Sequence, residues 1–150
     1  MKFLLADRTA IQMEDTEVIE FLKEPYILRL GVLDYRDGFP LVHPVWYHYE
    51  GGTFFIATDS TGVKAKSLRK NSTAYFVIDI ASGSSSPMGV RGRGTAKVID
   101  DIEYATKVTA HNITRYLGSL EGPAANKIMA MAKYSSVIEL TPTYIASWKF

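Results

Sequence analysis

Residues 38–71 read GFPLVHPVWYHYEGGTFFIATDSTGVKAKSLRKN. Two apolar runs, Phe39–Tyr49 and Thr53–Thr58, meet at Gly51-Gly52, a pair that suits a tight hairpin because its central positions need positive φ. A second hairpin signal, Asp37-Gly38, joins Phe39–Tyr49 to the preceding run, Tyr26–Tyr35. These three runs are expected to form an antiparallel meander.

Working outward, Thr73–Ile80, Met88–Ile99 and Ser135–Leu140 share the same Val, Ile, Tyr and Phe content, which brings the expected strands to about six, enough to close a small barrel. Helical spacing places Val18, Phe21 and Leu22 on one face of Thr16–Lys23, and Ala105, Val108, Asn112, Ile113 and Tyr116 on one face of Ile102–Leu117. Asp100 and Asp101 are expected to cap the longer helix and Gly118 to stop it. A further helix, Ala124–Lys133, is expected just after Pro123. Ala81–Pro87 is a Ser/Gly connection, expected to be mobile, and no internal repeat is present. With 150 residues, 47% of them apolar, the chain suits a single domain with one core.

The turn after Thr53–Thr58 carries chemistry. A helix start offers unpaired backbone N–H groups and the positive end of its dipole, which together suit a phosphate. Thr58, Ser60 and Thr61 can add hydroxyl donors, and Lys64 and Lys66 can add charge-assisted hydrogen bonds. The same residues also fit a solvated amphipathic helix whose lysines touch only water, and spacing does not choose between the two. Along Met88–Ile99, alternation puts Arg91, Arg93, Thr95 and Lys97 on one face and Val90, Gly92, Gly94, Ala96 and Val98 on the other. Such a charged row is ordinarily a solvent face, while glycine inside a strand marks a bulge or a close approach.

Other chemistries find little support. A net charge of +1 argues against a general nucleic-acid binder. The absence of cysteine excludes disulfides, thiolate ligands and a Cys nucleophile. His43 and His48 fall on opposite faces of one expected strand and His111 on a helix, so no metal site is expected. No GxSxG elbow is present. Met1–Leu5 is too short for a signal peptide and no run approaches the ~18 apolar residues of a membrane span, so a soluble cytoplasmic protein is expected.

The stretches GFPLVHPVWYHYEGGTFFIATDSTGVKAKSLRKN and VRGRGTAKVIDD, in that order, resemble the FMN-binding split barrel of the pyridoxamine 5'-phosphate oxidase-like superfamily; SVIELTPTYIASWKF fits its closing strand more loosely. The resemblance implies a mainly β (α+β) fold, a six-stranded antiparallel Greek-key split β-barrel with peripheral helices. It also implies an FMN-dependent oxidoreductase working as a homodimer, with the flavin carrying the redox chemistry and a small redox substrate, or NADH or NADPH, as partner. Nucleic acid and membrane are not expected partners.

Residue by residue, His43, Pro44, Val45 and Trp46 match the strand whose backbone edges the isoalloxazine ring. Thr58, Ser60, Lys64 and Lys66 match the phosphate grip, and Arg91 matches an arginine able to stabilise the reduced ring. Trp148 matches a C-terminal tryptophan close to the flavin, often across the dimer interface; ordinary packing is an equal reading for Trp46 and Trp148. Gly92 and Arg93 replace the family's usual valine and glutamate, Ser72 a proline, and Val63 a basic residue. The oxidase itself continues into an arginine- and histidine-bearing tail beyond the position of Phe150, so oxidation of pyridoxamine phosphate is not expected. A deazaflavin-dependent reductase and a flavin or haem carrier without turnover are the alternatives; a weak nucleic-acid binder using Lys64, Lys66, Arg69, Lys70, Arg91 and Arg93 is a further one.

Overall fold

The computed structural model describes residues 1–150 apart from 82, 84 and 85. Part of the Ala81–Pro87 connection therefore lies outside the described residues. Among the described residues, eight strands form one sheet: β1 (Lys2–Leu5), β2 (Leu28–Leu33), β3 (Pro40–Val45), β4 (His48–Glu50), β5 (Thr53–Asp59), β6 (Thr73–Ile80), β7 (Met88–Ile99) and β8 (Ser135–Lys149). The α-helices among the described residues are α1 (Asp15–Lys23), α2 (Val63–Lys70), α3 (Ile102–Leu117) and α4 (Pro123–Ala130). The order across the sheet is β3-β2-β6-β7-β8-β5-β4, and β1 adds to β8 in parallel while the other pairs are antiparallel. This is the split-barrel arrangement.

Three expectations need correction. The strand count is eight, because Phe39–Tyr49 breaks into β3 and β4 and because Lys2–Leu5 pairs with the end of β8, which runs on from Leu140 to Lys149. The meander fails at the same break. β2 pairs with β3 and β4 with β5, but β3 and β4 lie at opposite edges of the sheet. Only Trp46 and Tyr47 separate them, and an extended chain covers at most about 3.6 Å per residue, so the sheet must curl until its two edges nearly meet. His43 and His48 thus sit on different strands.

The break is visible in burial. Tyr47 and His48 are both buried, which a continuous strand with alternating faces would not allow. The Tyr47 ring packs edge-on to Phe54, with centroids 5.3 Å apart, and Phe54 meets Phe76 at 4.9 Å inside the barrel. Leu28, Leu30, Ile56, Ile78, Val90, Ile138, Leu140 and Ile145 complete that core. Val18, Phe21 and Leu22 of α1 join it, as the helical spacing predicts.

Other local expectations hold. Gly51 and Gly52 form the two-residue turn between β4 and β5 with φ of 56° and 84°. α3 spans the expected residues, ending on Gly118 at φ 79°. Asp101 accepts from the Tyr104 N–H as its cap, whereas Asp100 takes no part in capping: it accepts from Arg69 at 2.7 Å and from the Ser136 hydroxyl. The last expected helix stops at Ala130 and continues as a 3-10 turn over Ala132–Tyr134. On β7 the charged residues face solvent and the glycines are buried; a side chain at Gly94 would meet the Thr141 carbonyl at a bulge between Arg93 and Gly94, and one at Gly92 the Tyr144 carbonyl.

Arg115 ties the barrel to α1. Its guanidinium donates to the carbonyls of Leu22 (3.0 Å), Lys23 and Glu24 at the C-terminus of α1, and lies over the Tyr47 ring at 4.9 Å. A cation there satisfies carbonyls the helix leaves open and opposes the negative end of its dipole. Arg115→Ala is expected to cost about 1.5–3 kcal/mol, the worth of charge-assisted hydrogen bonds, read as a lower midpoint in urea unfolding.

Candidate functional site

The seam where the sheet edges approach opens into a cavity of about 390 Å³, within the range of small-molecule sites. Pro44, Val45 and Trp46 line it from the end of β3, and Ala57, Thr58 and Asp59 from β5. Lys64 comes from α2, Thr109 and Asn112 from α3, and Ile128, Met131 and Ser135 from the segment that follows. Trp46 is held by a parallel stack on Tyr116, with centroids 4.8 Å apart and 5° between planes. The Tyr116 hydroxyl donates to the Tyr26 carbonyl at 2.6 Å and accepts from the Tyr47 N–H at 3.3 Å.

Of the residues selected from the sequence, Pro44, Val45, Trp46, Thr58 and Lys64 line this one cavity. His43 lies close enough to Lys64 for the ammonium to disfavour its protonation. Ser60 lines an adjoining cavity with Asp59, Thr61, Met131, Tyr134 and Ser135. Lys66 points elsewhere, its ammonium 5.9 Å from the Tyr35 ring centroid. Two residues along a helix rotate by about 200°, so Lys64 and Lys66 face opposite sides. Arg91 donates to the Ala6 carbonyl at 3.1 Å and lines a different recess with Arg29, Val42, Tyr75 and Tyr144. Trp148 lies over Gly89, where a Cβ would fall 2.5 Å from its ring. Thr109, Asn112, Asp59, Ile128 and Met131 were not selected. The one available signal was polar Thr109 and Asn112 on the otherwise apolar face of α3.

The turn spends most of its own donors internally. Asp59 Oδ1 accepts from the Thr61 N–H (2.9 Å) and hydroxyl (3.0 Å), the Ser60 N–H donates to Tyr134 O, and the Gly62 N–H donates to Asp59 O. Lys66 makes the first helical bond, to Gly62 O, so the N–H groups of Val63, Lys64 and Ala65 have no acceptor within α2. Burial lowers the Lys64 ammonium from its usual range, while Asp59 pulls it back up. Asp59 itself is held below the usual carboxylate range by the Thr61 N–H and hydroxyl. A partly desolvated cation faces the cavity, suited to an anionic group that would restore its lost solvation.

Among the described residues, three buried side-chain atoms lack a hydrogen-bond partner: His43 Nε2, Thr109 Oγ1 and Arg115 Nε. His48 and Asn112 form a satisfied pair nearby. Asn112 Nδ2 donates to Phe55 O (3.3 Å), so its Oδ1 accepts the proton of His48 Nδ1 at 2.9 Å. Burial pushes His48 down, and its ring lies between Phe55 and His111. Among the described residues no group of three or more His, Asp or Glu side chains could hold a metal ion, and no helix is long and apolar enough to cross a membrane.

Comparison with known proteins decides the family. The family model described as pyridoxamine 5'-phosphate oxidase matches residues 15–149. The chain belongs to that family. No curated protein sequence gives a significant match. Among solved structures, a conserved hypothetical protein of Mycobacterium tuberculosis shares the fold at a TM-score of 0.80 and 21% identity, covering 95% of this chain and 89% of that one. An "F420 reductase" does so at 0.66 and 18%, covering 91% and 98%, and a FAD-binding protein of Mesorhizobium loti at 0.68 and 15%, covering 92% and 96%.

The proximity of His43 and Lys64 is open to measurement. Burial first, and Lys64 second, hold the His43 imidazole below its usual value. The unfolded chain therefore takes up a proton first as pH falls through about 6.5, and stability declines from there down to the folded pKa. NMR titration is expected to place His43 below 6.5 and to move it part of the way back in Lys64→Met, with the burial-driven remainder intact.

Proposed function

We propose that this chain is an FMN-dependent oxidoreductase working as a homodimer in the cytoplasm, with FMN in the seam cavity. The observation that carries the reading is the half-buried Lys64 ammonium facing a cavity that Thr58 and the Pro44–Trp46 edge also line, in a member of this family. Lys64, Thr58 and the open N–H groups at the start of α2 hold the phosphate, with Ser60 at its margin. Pro44, Val45 and Trp46 edge the ring, with His43 preceding them on β3. When bound, the flavin supplies two-electron redox chemistry, and the chain's residues supply position, charge and shielding from water.

Lys66, Arg91 and Trp148 are outside this cavity in one protomer, so the reading gives Arg91 and Trp148 to the ring of the partner copy and leaves Lys66 a surface role. The exposed Val42 and Tyr75 beside Arg91 favour such an apposition. A small redox substrate, or NADH or NADPH, is the electron partner. The likeness to the F420 reductase favours a second reading, in which a deazaflavin takes the same place, since Lys64 and Thr58 serve either phosphate.

Purified protein is expected to be yellow or to bind added FMN. Mass spectrometry of the extracted chromophore separates flavin from deazaflavin, and a bound flavin that neither NADH nor NADPH reduces marks a carrier. Lys64→Ala is expected to weaken FMN binding by about 10- to 100-fold, as loss of a charged hydrogen bond requires, while Lys66→Ala changes it less than threefold. Equal losses in both variants would place the phosphate elsewhere.

A further inference from the structure

His48 and His111 stack face to face, with ring centroids 4.0 Å apart and 13° between planes. His48, on β4 at the edge of the sheet, is only 8% exposed, whereas His111, on α3, is exposed. The Phe55 ring, 4.9 Å away and 15° from parallel, continues the stack on the β5 side. One imidazole therefore joins three elements.

Neutral rings stack freely and one charge is tolerated, but two protons would set like charges 4.0 Å apart beside a buried strand edge. His48 Nδ1 already carries the proton that it donates to Asn112 Oδ1, so a further proton has to enter at Nε2. Burial, the largest effect, opposes that proton, as do His111 and Arg115 on α3; the bond to Asn112 and the Glu50 carboxylate on β4 favour it. Phe55 adds no charge from β5. The balance holds His48 below the ordinary histidine value.

From this geometry we infer that the His48–His111 stack is an acid-sensitive clasp between β4 and α3, closed with at most one proton on the pair and opened when both rings are charged. The exposed His111 is free to turn into water, which relieves the repulsion and gives up its hold on β4. Histidine is the side chain whose ordinary range brings this change between pH 5 and 8, and two rings so close titrate as a pair. Neither imidazole is among the residues lining the seam cavity, so the inference stands apart from the cofactor reading.

His111→Phe, which keeps a stacked ring without the charge, and His111→Asn, which removes the ring, test it on the full chain; both match histidine in helix propensity. The readouts are melting temperature at about pH 7.5 and about pH 5, and NMR titration of His48. A group held below its ordinary value stabilises the fold above about pH 6.5 and loses that contribution as pH falls to its folded value, so wild type is expected to melt lower in acid. His111→Phe is expected to melt close to wild type at the higher pH and to lose less on acidification. Its His48 is expected to titrate nearer the ordinary value, short of it because burial remains. His111→Asn is expected to melt lower at the higher pH, having lost the stack, and to share the smaller acid loss. Groups elsewhere, His43 among them, are common to the three proteins and cancel in the comparison. An acid loss in His111→Phe equal to that of wild type, or an unmoved His48 titration, would overturn the clasp. His111→Asn as stable as wild type at the higher pH would show that the ring contact holds nothing and would overturn it as well.

Discussion

The crossing from β3 to β4 in two residues is the constraint on which the rest of the molecule depends. Trp46 and Tyr47 join opposite edges of the sheet, and no flat sheet can be closed by so short a link. Tyr47 sinks into the barrel while Trp46 turns outward onto Tyr116. Tyr116 then fixes both partners, stacking on Trp46 and accepting from the Tyr47 N–H. α3 thereby becomes part of the closure as well as a cover for the sheet. β4 covers only Thr53–Phe55 of β5, and the cavity lies between the end of β3 and the part of β5 beyond that pairing. The same geometry that closes the barrel makes the site.

Much of this was legible in the residues. β6, β7 and α3 occupy the expected spans, since each carries a pattern that holds along its whole length: alternation in the strands, three-to-four spacing and a terminal glycine in the helix. The alternation of β7 even separated the exposed cations from the buried glycines. The crossing was not legible, because Val45, Trp46 and Tyr47 at the break are apolar and aromatic and include no turn residue. The break is made by tertiary packing of Tyr47 and Trp46, which no local pattern reports. β1 was missed for a related reason: four residues that gain strand character only from the end of β8 have no period of their own.

The site was legible in part, and the missed portion follows from distance along the chain. Lys64 and Thr58 sit within one strand-turn-helix unit, so local reading reaches both. Pairing Lys66 with Lys64 overlooked the helical rotation that sends their side chains apart. Thr109 and Asn112 come from some 50 residues further on, and only the closed barrel brings them to β5. Their polarity on an apolar helical face was the trace that tertiary structure leaves in sequence, and for Asn112 the explanation is mainly structural: it satisfies His48 and Phe55.

The electrostatics of the seam carry the argument one step further. A carboxylate, Asp59, stands beside the cation proposed to hold a phosphate, which at first opposes anion binding. Asp59 is directed at Thr61, whose N–H and hydroxyl hold it, so its negative charge is partly neutralised by fixed donors. Its remaining field favours the charged form of Lys64 and offsets part of the effect of burial, which lowers the ammonium from its usual range. Without Asp59 the ammonium would pay for desolvation alone; with Asp59 free of Thr61, the carboxylate would compete for the ammonium with any incoming anion. Holding the carboxylate with donors from its own turn leaves Lys64 charged, incompletely paired and turned toward the cavity, and this is the state in which a partly dry cation gains most from a phosphate.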